Sequence, residues 1–111
     1  MIISDLVRAK YDNLLSLCKR HKVKRLYAFG SSVAGGFDAS KSDIDLQVEI
    51  DESDPVEKGD LLLNFFTEIE KLFNRKVDLL TDQPIENPYL KASVDRSKVL
   101  IYDGETEKIL V

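Results

Sequence analysis

The clearest pattern in the chain is a strict alternation of apolar and polar residues over 43–50. Because successive side chains of a strand point to opposite faces, this period of two predicts a strand with one buried face and one open face. Shorter apolar runs predict three further strands at 23–29, 77–81 and 98–102, the last one stopped by an Asp-Gly turn. The apolar positions of the alternating segment are Ile44, Leu46, Val48 and Ile50, and its polar positions are Asp43, Asp45, Gln47 and Glu49.

Apolar residues that recur at helical spacing predict two helices, at 4–21 and 55–73, and an Asn-Pro pair predicts a short third helix over about 88–96. The order helix, strand, strand, helix, strand, helix, strand predicts an α+β fold, with a mixed sheet of about four strands covered mainly on one face by helices. The link between the first two strands is too short for a helical crossover, so we expect them to pair antiparallel. No repeat or linker-like tract divides the chain, and residues 1–111 are expected to form a single domain.

Particular residues are expected to end these helices or to face the core. Ser4 is the expected N-cap of the first helix, and Tyr11 and Cys18 are expected on its apolar face. Asn87 and Pro88 form a typical N-cap and first-turn pair for the third helix. The last three residues fit either a frayed tail or a small contact surface, and the pattern leaves both open.

Composition narrows the chemistry that this chain can perform. The net charge of −4 disfavours duplex nucleic acid as a partner, because proteins that grip duplex phosphates carry clustered positive charge. One histidine and one cysteine make a His/Cys zinc site or a Ser-His-Asp triad improbable, so catalysis must depend on carboxylates. We expect no signal peptide and no membrane span, and a single cysteine suits the cytoplasm.

Three carboxylates are the candidate chemical groups. Asp43 and Asp45 leave the same face of one strand, about 7 Å apart along it, while Asp78 lies on another short strand between apolar neighbours. If the two strands are adjacent, all three side chains can converge. Each like-charged pair at about 5 Å then repels by roughly 3 kcal/mol at an effective dielectric constant near 20. A hard divalent cation, Mg²⁺ or Mn²⁺, would relieve that repulsion, and two such ions form the usual clamp for displacement at phosphorus.

The Gly30-Ser31 pair completes the candidate site. A glycine at a strand end lets the backbone approach a ligand, and the amides and hydroxyl that follow can hold phosphate oxygens. Each of these features alone is weak, since Asp-x-Asp is usually solvated and Gly-Ser usually marks a turn. Their conjunction indicates a nucleotide site.

The conjunction resembles a known family. Tyr-Ala-Phe-Gly-Ser at 27–31 and Ser-Asp-Ile-Asp-Leu at 42–46 look like the signature of the DNA polymerase β-like nucleotidyltransferases, and within them like the minimal nucleotidyltransferases (MNT). The resemblance extends over nearly the whole chain. It implies two metal ions held by Asp43, Asp45 and Asp78, an ATP substrate whose triphosphate contacts Gly30 and Ser31, and a HEPN-domain toxin partner. In such pairs the MNT protein is an antitoxin that adenylylates a tyrosine of the toxin.

Two departures from the family pattern accompany this resemblance. Eleven residues separate Ser31 from Asp43 where ten are usual, and no arginine follows the Gly-Ser pair. One phosphate contact is then either missing or supplied from elsewhere, with Lys41, Arg75 or a partner chain as the candidates. A small-molecule nucleotidyltransferase of the aminoglycoside kind, with a separate binding subunit, and an antitoxin that acts by binding alone both remain alternatives. The sequence is compatible with a monomer or a homo-oligomer.

Overall fold

The computed structural model describes residues 2–30, 33 and 43–110. Four helices and five strands lie within these residues, which confirms the α+β class and adds one strand to the four expected. In chain order the elements are α1 (Ile2–Ala9), α2 (Tyr11–Arg20), β1 (Val23–Ala28), β2 (Ile44–Ile50), α3 (Pro55–Phe73), β3 (Val77–Leu80), α4 (Pro88–Ser97), β4 (Val99–Asp103) and β5 (Lys108–Ile109).

The strands form one mixed sheet in the order β3-β2-β1-β4-β5. β1 pairs antiparallel with β2, as the short link between them predicted, and β2 pairs parallel with β3. β1 also pairs antiparallel with β4, which in turn pairs antiparallel with the two-residue β5. The parallel pair is possible because α3 supplies the crossover from β2 to β3.

The chain end that the sequence left undecided contributes to the sheet. Tyr102 and Ile109 are register partners, and Ile109 is buried while Leu110 remains half exposed. A turn with Glu107 at a positive φ of 53° reverses the chain between β4 and β5. A two-residue strand is too short for any periodicity, which is why the sequence pattern did not predict it.

The first predicted helix is two helices. α1 and α2 are separated at Lys10, and α1 already begins at Ile2, so the expectation that Ser4 is the N-cap was wrong. Tyr11 is 41% exposed, so its assignment to the apolar face was also wrong. Neither glycine nor proline marks the break. Its position is set by tertiary packing and by no local signal. The break lets each short helix turn its own apolar residues to the core. Those residues are Ile3 and Val7 in α1, and Leu14, Leu17 and Cys18 in α2.

The other two helices begin where the sequence predicted. α3 spans Pro55–Phe73, with Asp54 accepting a hydrogen bond from the Val56 amide and Asn74 ending the helix in the left-handed conformation. α4 starts at Pro88, and the Asn87 side chain accepts hydrogen bonds from the Tyr89 and Leu90 amides at 2.9 and 3.2 Å. Both starts follow from an acceptor side chain placed before a proline.

The core lies between one face of the sheet and the helices. The four apolar residues of β2 are all buried, together with Phe65 and Ile69 of α3 and Cys18 of α2. The alternation over 43–50 therefore predicted the buried face of this strand correctly. Across the described residues, no helix is both long enough and apolar enough to span a membrane.

Candidate active site

Strand pairing brings two of the predicted carboxylates side by side. Asp45 of β2 and Asp78 of β3 are register partners in the parallel pair, and adjacent strands lie about 4.8 Å apart. Their neighbours Ile44 and Val77 are also register partners, and both are buried on the opposite face. The two aspartates consequently leave the sheet together on the face that the core does not cover.

Asp43 lies directly before β2, two residues ahead of Asp45, and is half-buried. Within the described part of the chain, no three His, Cys, Asp or Glu side chains are close enough to form a ready-made metal site. The fold thus places the three aspartates at one edge of two adjacent strands. Whether their carboxylates converge on shared ions stays a prediction.

The donor chemistry of this edge fits a hard divalent cation. All three side chains offer carboxylate oxygens, which Mg²⁺ and Mn²⁺ prefer, and the described residues place no ion pair on Asp43 or Asp78. The only histidine, His21, is buried against Phe65, and its Nδ1 donates a hydrogen bond to the Leu17 carbonyl at 2.7 Å. The histidine ring is therefore held in the interior, and the candidate ligands at this edge are carboxylate oxygens.

Gly30 lies in contact with one of these carboxylates. It has a φ of +63°, and a Cβ placed on it would lie 2.7 Å from Oδ2 of Asp45. The preceding Phe29 amide donates a hydrogen bond to the Asp45 carbonyl at 3.1 Å, which joins the end of β1 to the start of β2. Only glycine both accepts this conformation and leaves room for the aspartate. The structure therefore brings Gly30 to the carboxylates, as the candidate site requires.

One residue at this site was missed by sequence reasoning. The Gly30 amide donates a hydrogen bond to Ser97 Oγ at 2.8 Å, and that hydroxyl donates to the Ser93 carbonyl at 2.7 Å. Ser97 ends α4, sixty-seven positions along the chain from Gly30. No local pattern signals this contact, because a serine at the end of a helix is common and its partner is set by the fold.

The remaining predicted contacts lie partly outside the described residues. Ser31 and Lys41 are among the residues that the structure does not describe, so the role of Ser31 in nucleotide binding stays a prediction. Arg75 lies in the turn between α3 and β3, where its amide donates to the Glu70 carbonyl. Its use as a replacement for the absent loop arginine is equally untested.

The open face continues beyond the aspartates with polar and aromatic side chains. Gln47 is the register partner of both Tyr27 in β1 and Leu80 in β3, and its Nε2 donates to the Thr81 carbonyl at 3.3 Å. The Lys98 ammonium lies 4.9 Å from the centre of the Tyr27 ring. Burial raises the pKa of the Tyr27 hydroxyl, with Glu49 adding to the effect, so this phenol stays neutral at physiological pH. The face beside the carboxylates therefore carries polar and aromatic side chains that contact one another.

Comparison with known proteins identifies the family. The model of the nucleotidyltransferase domain matches residues 13–101, a span that holds Gly30 and all three aspartates. The chain belongs to the nucleotidyltransferase domain family. It is an enzyme of the nucleotidyltransferase class.

Individual proteins agree with this assignment. A Methanocaldococcus jannaschii protein, MJ1379, named as a candidate protein adenylyltransferase, is 37% identical over 99 residues, covering 89% of this chain and 94% of its own length. The solved structure of a candidate minimal nucleotidyltransferase is 30% identical with a TM-score of 0.59, covering 89% of this chain and 95% of that one. An MNT antitoxin in complex with a tri-AMPylated HEPN toxin from Shewanella oneidensis shares the fold at 17% identity and a TM-score of 0.50. The match covers 90% of this chain and 75% of that one.

Proposed function

We propose that this nucleotidyltransferase moves AMP from ATP to a tyrosine hydroxyl of a HEPN-type toxin, and acts as the antitoxin of that partner. The observation that carries the proposal is the in-register pair Asp45 and Asp78, with Asp43 just ahead and Gly30 against Asp45. The name of the M. jannaschii relative supports adenylylation of a protein, and the Shewanella complex supports a HEPN toxin as acceptor.

The reaction is a substitution at the α-phosphorus of ATP. The hydroxyl oxygen forms a bond to phosphorus, the bond to the bridging oxygen breaks, and pyrophosphate leaves. Gly30 would let the backbone approach the triphosphate closely, and the Ser31 amide and hydroxyl would hold it. Most of the rate enhancement in such reactions comes from positioning and from stabilisation of charge.

Asp43, Asp45 and Asp78 would hold two divalent cations, Mg²⁺ or alternatively Mn²⁺, which neutralise the charge that develops on the phosphate oxygens when they are bound. Asp78 is exposed, whereas Asp43 and Asp45 are half-buried. Asp78 is therefore the carboxylate that an acceptor hydroxyl reaches from outside. In our proposal it orients that hydroxyl and takes its proton, which then passes to solvent.

We also propose that the reaction takes place in the cytoplasm. ATP is present there, and the Cys18 thiol is free and buried, which suits a reducing compartment.

Transfer of label from α-³²P-ATP to the co-purified partner tests the function. Asp45→Asn and Asp78→Asn should each lower the transfer rate by about 100-fold or more, the loss typical of one group that stabilises transition-state charge. Asp60→Asn is the matched control, because Asp60 is an exposed carboxylate on α3 that is not among the proposed site residues. Omission of Mg²⁺ should stop transfer in the wild type.

Toxin neutralisation in cells separates the alternatives. If the aspartate variants neutralise the partner as well as the wild type does, the protein acts by binding and the enzymatic account of antitoxin action is wrong. If the wild type labels an aminoglycoside and leaves every protein unlabelled, the acceptor is a small molecule.

A further inference from the structure

A side-chain hydroxyl from a distant helix holds the backbone of the glycine turn. Ser97 Oγ lies 2.8 Å from the Gly30 amide nitrogen and 2.7 Å from the Ser93 carbonyl oxygen. A hydroxyl has one proton, and the Ser93 carbonyl can only accept it. The hydroxyl proton therefore points along α4, and a lone pair of Ser97 faces the Gly30 amide. The direction of both hydrogen bonds follows from chemistry alone.

The Gly30 amide is consequently engaged within the protein and does not serve as a phosphate ligand. Its hydrogen bond instead fixes the peptide plane between Phe29 and Gly30 at the point where the chain leaves β1. Gly30 also accepts a hydrogen bond at its carbonyl from the Val33 amide, at 3.1 Å. Both polar groups of this glycine are thus used to shape the turn.

We propose that Ser97 is a positioning residue for nucleotide binding: its hydroxyl holds Gly30 in the left-handed conformation beside Asp45, so that the turn is ready to receive the triphosphate. This inference rests on the proposed function of the site. The φ of +63° at Gly30 is one of several conformations open to a glycine, and a glycine turn without an anchor would populate the others. For a ligand that binds only one conformation, the apparent affinity falls in proportion to the fraction of molecules in that conformation.

The test compares Ser97→Ala with Ser97→Thr and uses a non-hydrolysable ATP analogue with Mg²⁺ in calorimetry. Ser97→Ala removes the acceptor and should weaken binding by about 3- to 10-fold, the range for one hydrogen bond. Its KM for ATP should rise by a similar factor, while kcat changes by less than about twofold because the carboxylates are intact. Ser97→Thr should restore wild-type affinity, since a helical threonine hydroxyl also bonds to the carbonyl four residues back.

Ser93→Ala is the matched control, because Ser93 takes part only through its backbone carbonyl, and it should bind the analogue like the wild type. Ser97→Cys provides the same comparison if the alanine variant does not fold, because a thiol is a weak acceptor of nearly the same size.

A fall in melting temperature for Ser97→Ala with unchanged analogue affinity would show that the hydroxyl only stabilises α4, and would overturn the proposal. Wild-type protein that binds no analogue at all would instead overturn the proposed function, and this inference with it.

Discussion

Gly30 is the position where the addition of a single carbon atom would disturb the candidate site. Its positive φ places it where an L-residue is strained, and a methyl group there would meet Oδ2 of Asp45 at 2.7 Å. The strain comes from the backbone, and the clash comes from a carboxylate to which we assign a catalytic role in the proposed function. Any side chain at this position therefore affects catalysis and stability together.

Gly30→Ala should abolish transfer and lower the free energy of unfolding by roughly 1–3 kcal/mol, the usual cost of a strained backbone conformation. Label transfer and urea denaturation measure the two effects. Gly59→Ala is the control of the same chemistry. It lies in α3 with no atom near its Cβ position, and should raise stability by about 0.5–1 kcal/mol while leaving transfer unchanged. Wild-type transfer by Gly30→Ala would contradict the proposed contact between Gly30 and Asp45.

The residues of the site differ in how far sequence could predict them. Asp43 and Asp45 stand out because acidic residues alternate with buried apolar ones on the same strand, which is a local pattern. Asp78 stands between two apolar residues and was predictable in the same way. Ser97 was not, because its partner Gly30 is sixty-seven residues away and nothing near Ser97 differs from an ordinary helix end.

Among the elements, α4 connects the surface of the molecule to the site. Its first turn is open to solvent, with Tyr89 86% exposed, and its last residue, Ser97, holds the glycine turn. Val94, in the turn before that residue, is buried. The helix is only ten residues long, so its stability depends strongly on its ends.

Asn87→Ala removes the N-cap of α4 and should lower the free energy of unfolding by about 1 kcal/mol. The reason is that the Tyr89 and Leu90 amides both lose the acceptor that the Asn87 side chain provides. Urea denaturation with Asn87→Asp as the control measures the effect, because aspartate is an equally good cap. Equal stability of the alanine variant and the wild type would show that α4 does not need this cap.

The elements also show where sequence patterns reach their limit. α3 was predicted from the helical spacing of its apolar residues and α4 from an Asn-Pro pair at its start, and both are local signals. The break between α1 and α2 was not predicted, since Lys10 is a good helix former and the apolar spacing runs through it. The break follows from the packing of two short helices, which depends on residues far away in the chain.

At the scale of the whole molecule, Cys18 is a titratable group whose pKa the core shifts strongly. Its side chain is fully buried in α2, and burial raises the pKa of its thiol from 9.0 to about 12. The folded state thus keeps this proton at a pH where the unfolded chain releases it. Stability from this group is complete below about pH 9 and is lost as the pH rises toward 12.

The free energy of unfolding of the wild type should therefore fall more steeply between pH 9 and pH 11 than that of Cys18→Ala, as measured by urea denaturation. The native thiol should also resist alkylation at pH 8 and react only on unfolding, because a buried neutral thiol is a poor nucleophile. Parallel pH profiles for the two proteins, or rapid alkylation of the folded protein, would contradict the burial of this group.

The sequence by itself determined which side chains leave a strand together, because the period of two is a property of the extended chain and needs no partner. It also determined where α3 and α4 start, through the Asp54 and Asn87 side chains, which bond to amides two or three residues away. Only the tertiary structure decided that Asp45 and Asp78 are register partners, that Gly30 touches Asp45, and that Ser97 anchors Gly30. Those relations depend on strand register and helix packing between distant segments, and a shift of one residue in the register would turn the aspartates to the other face.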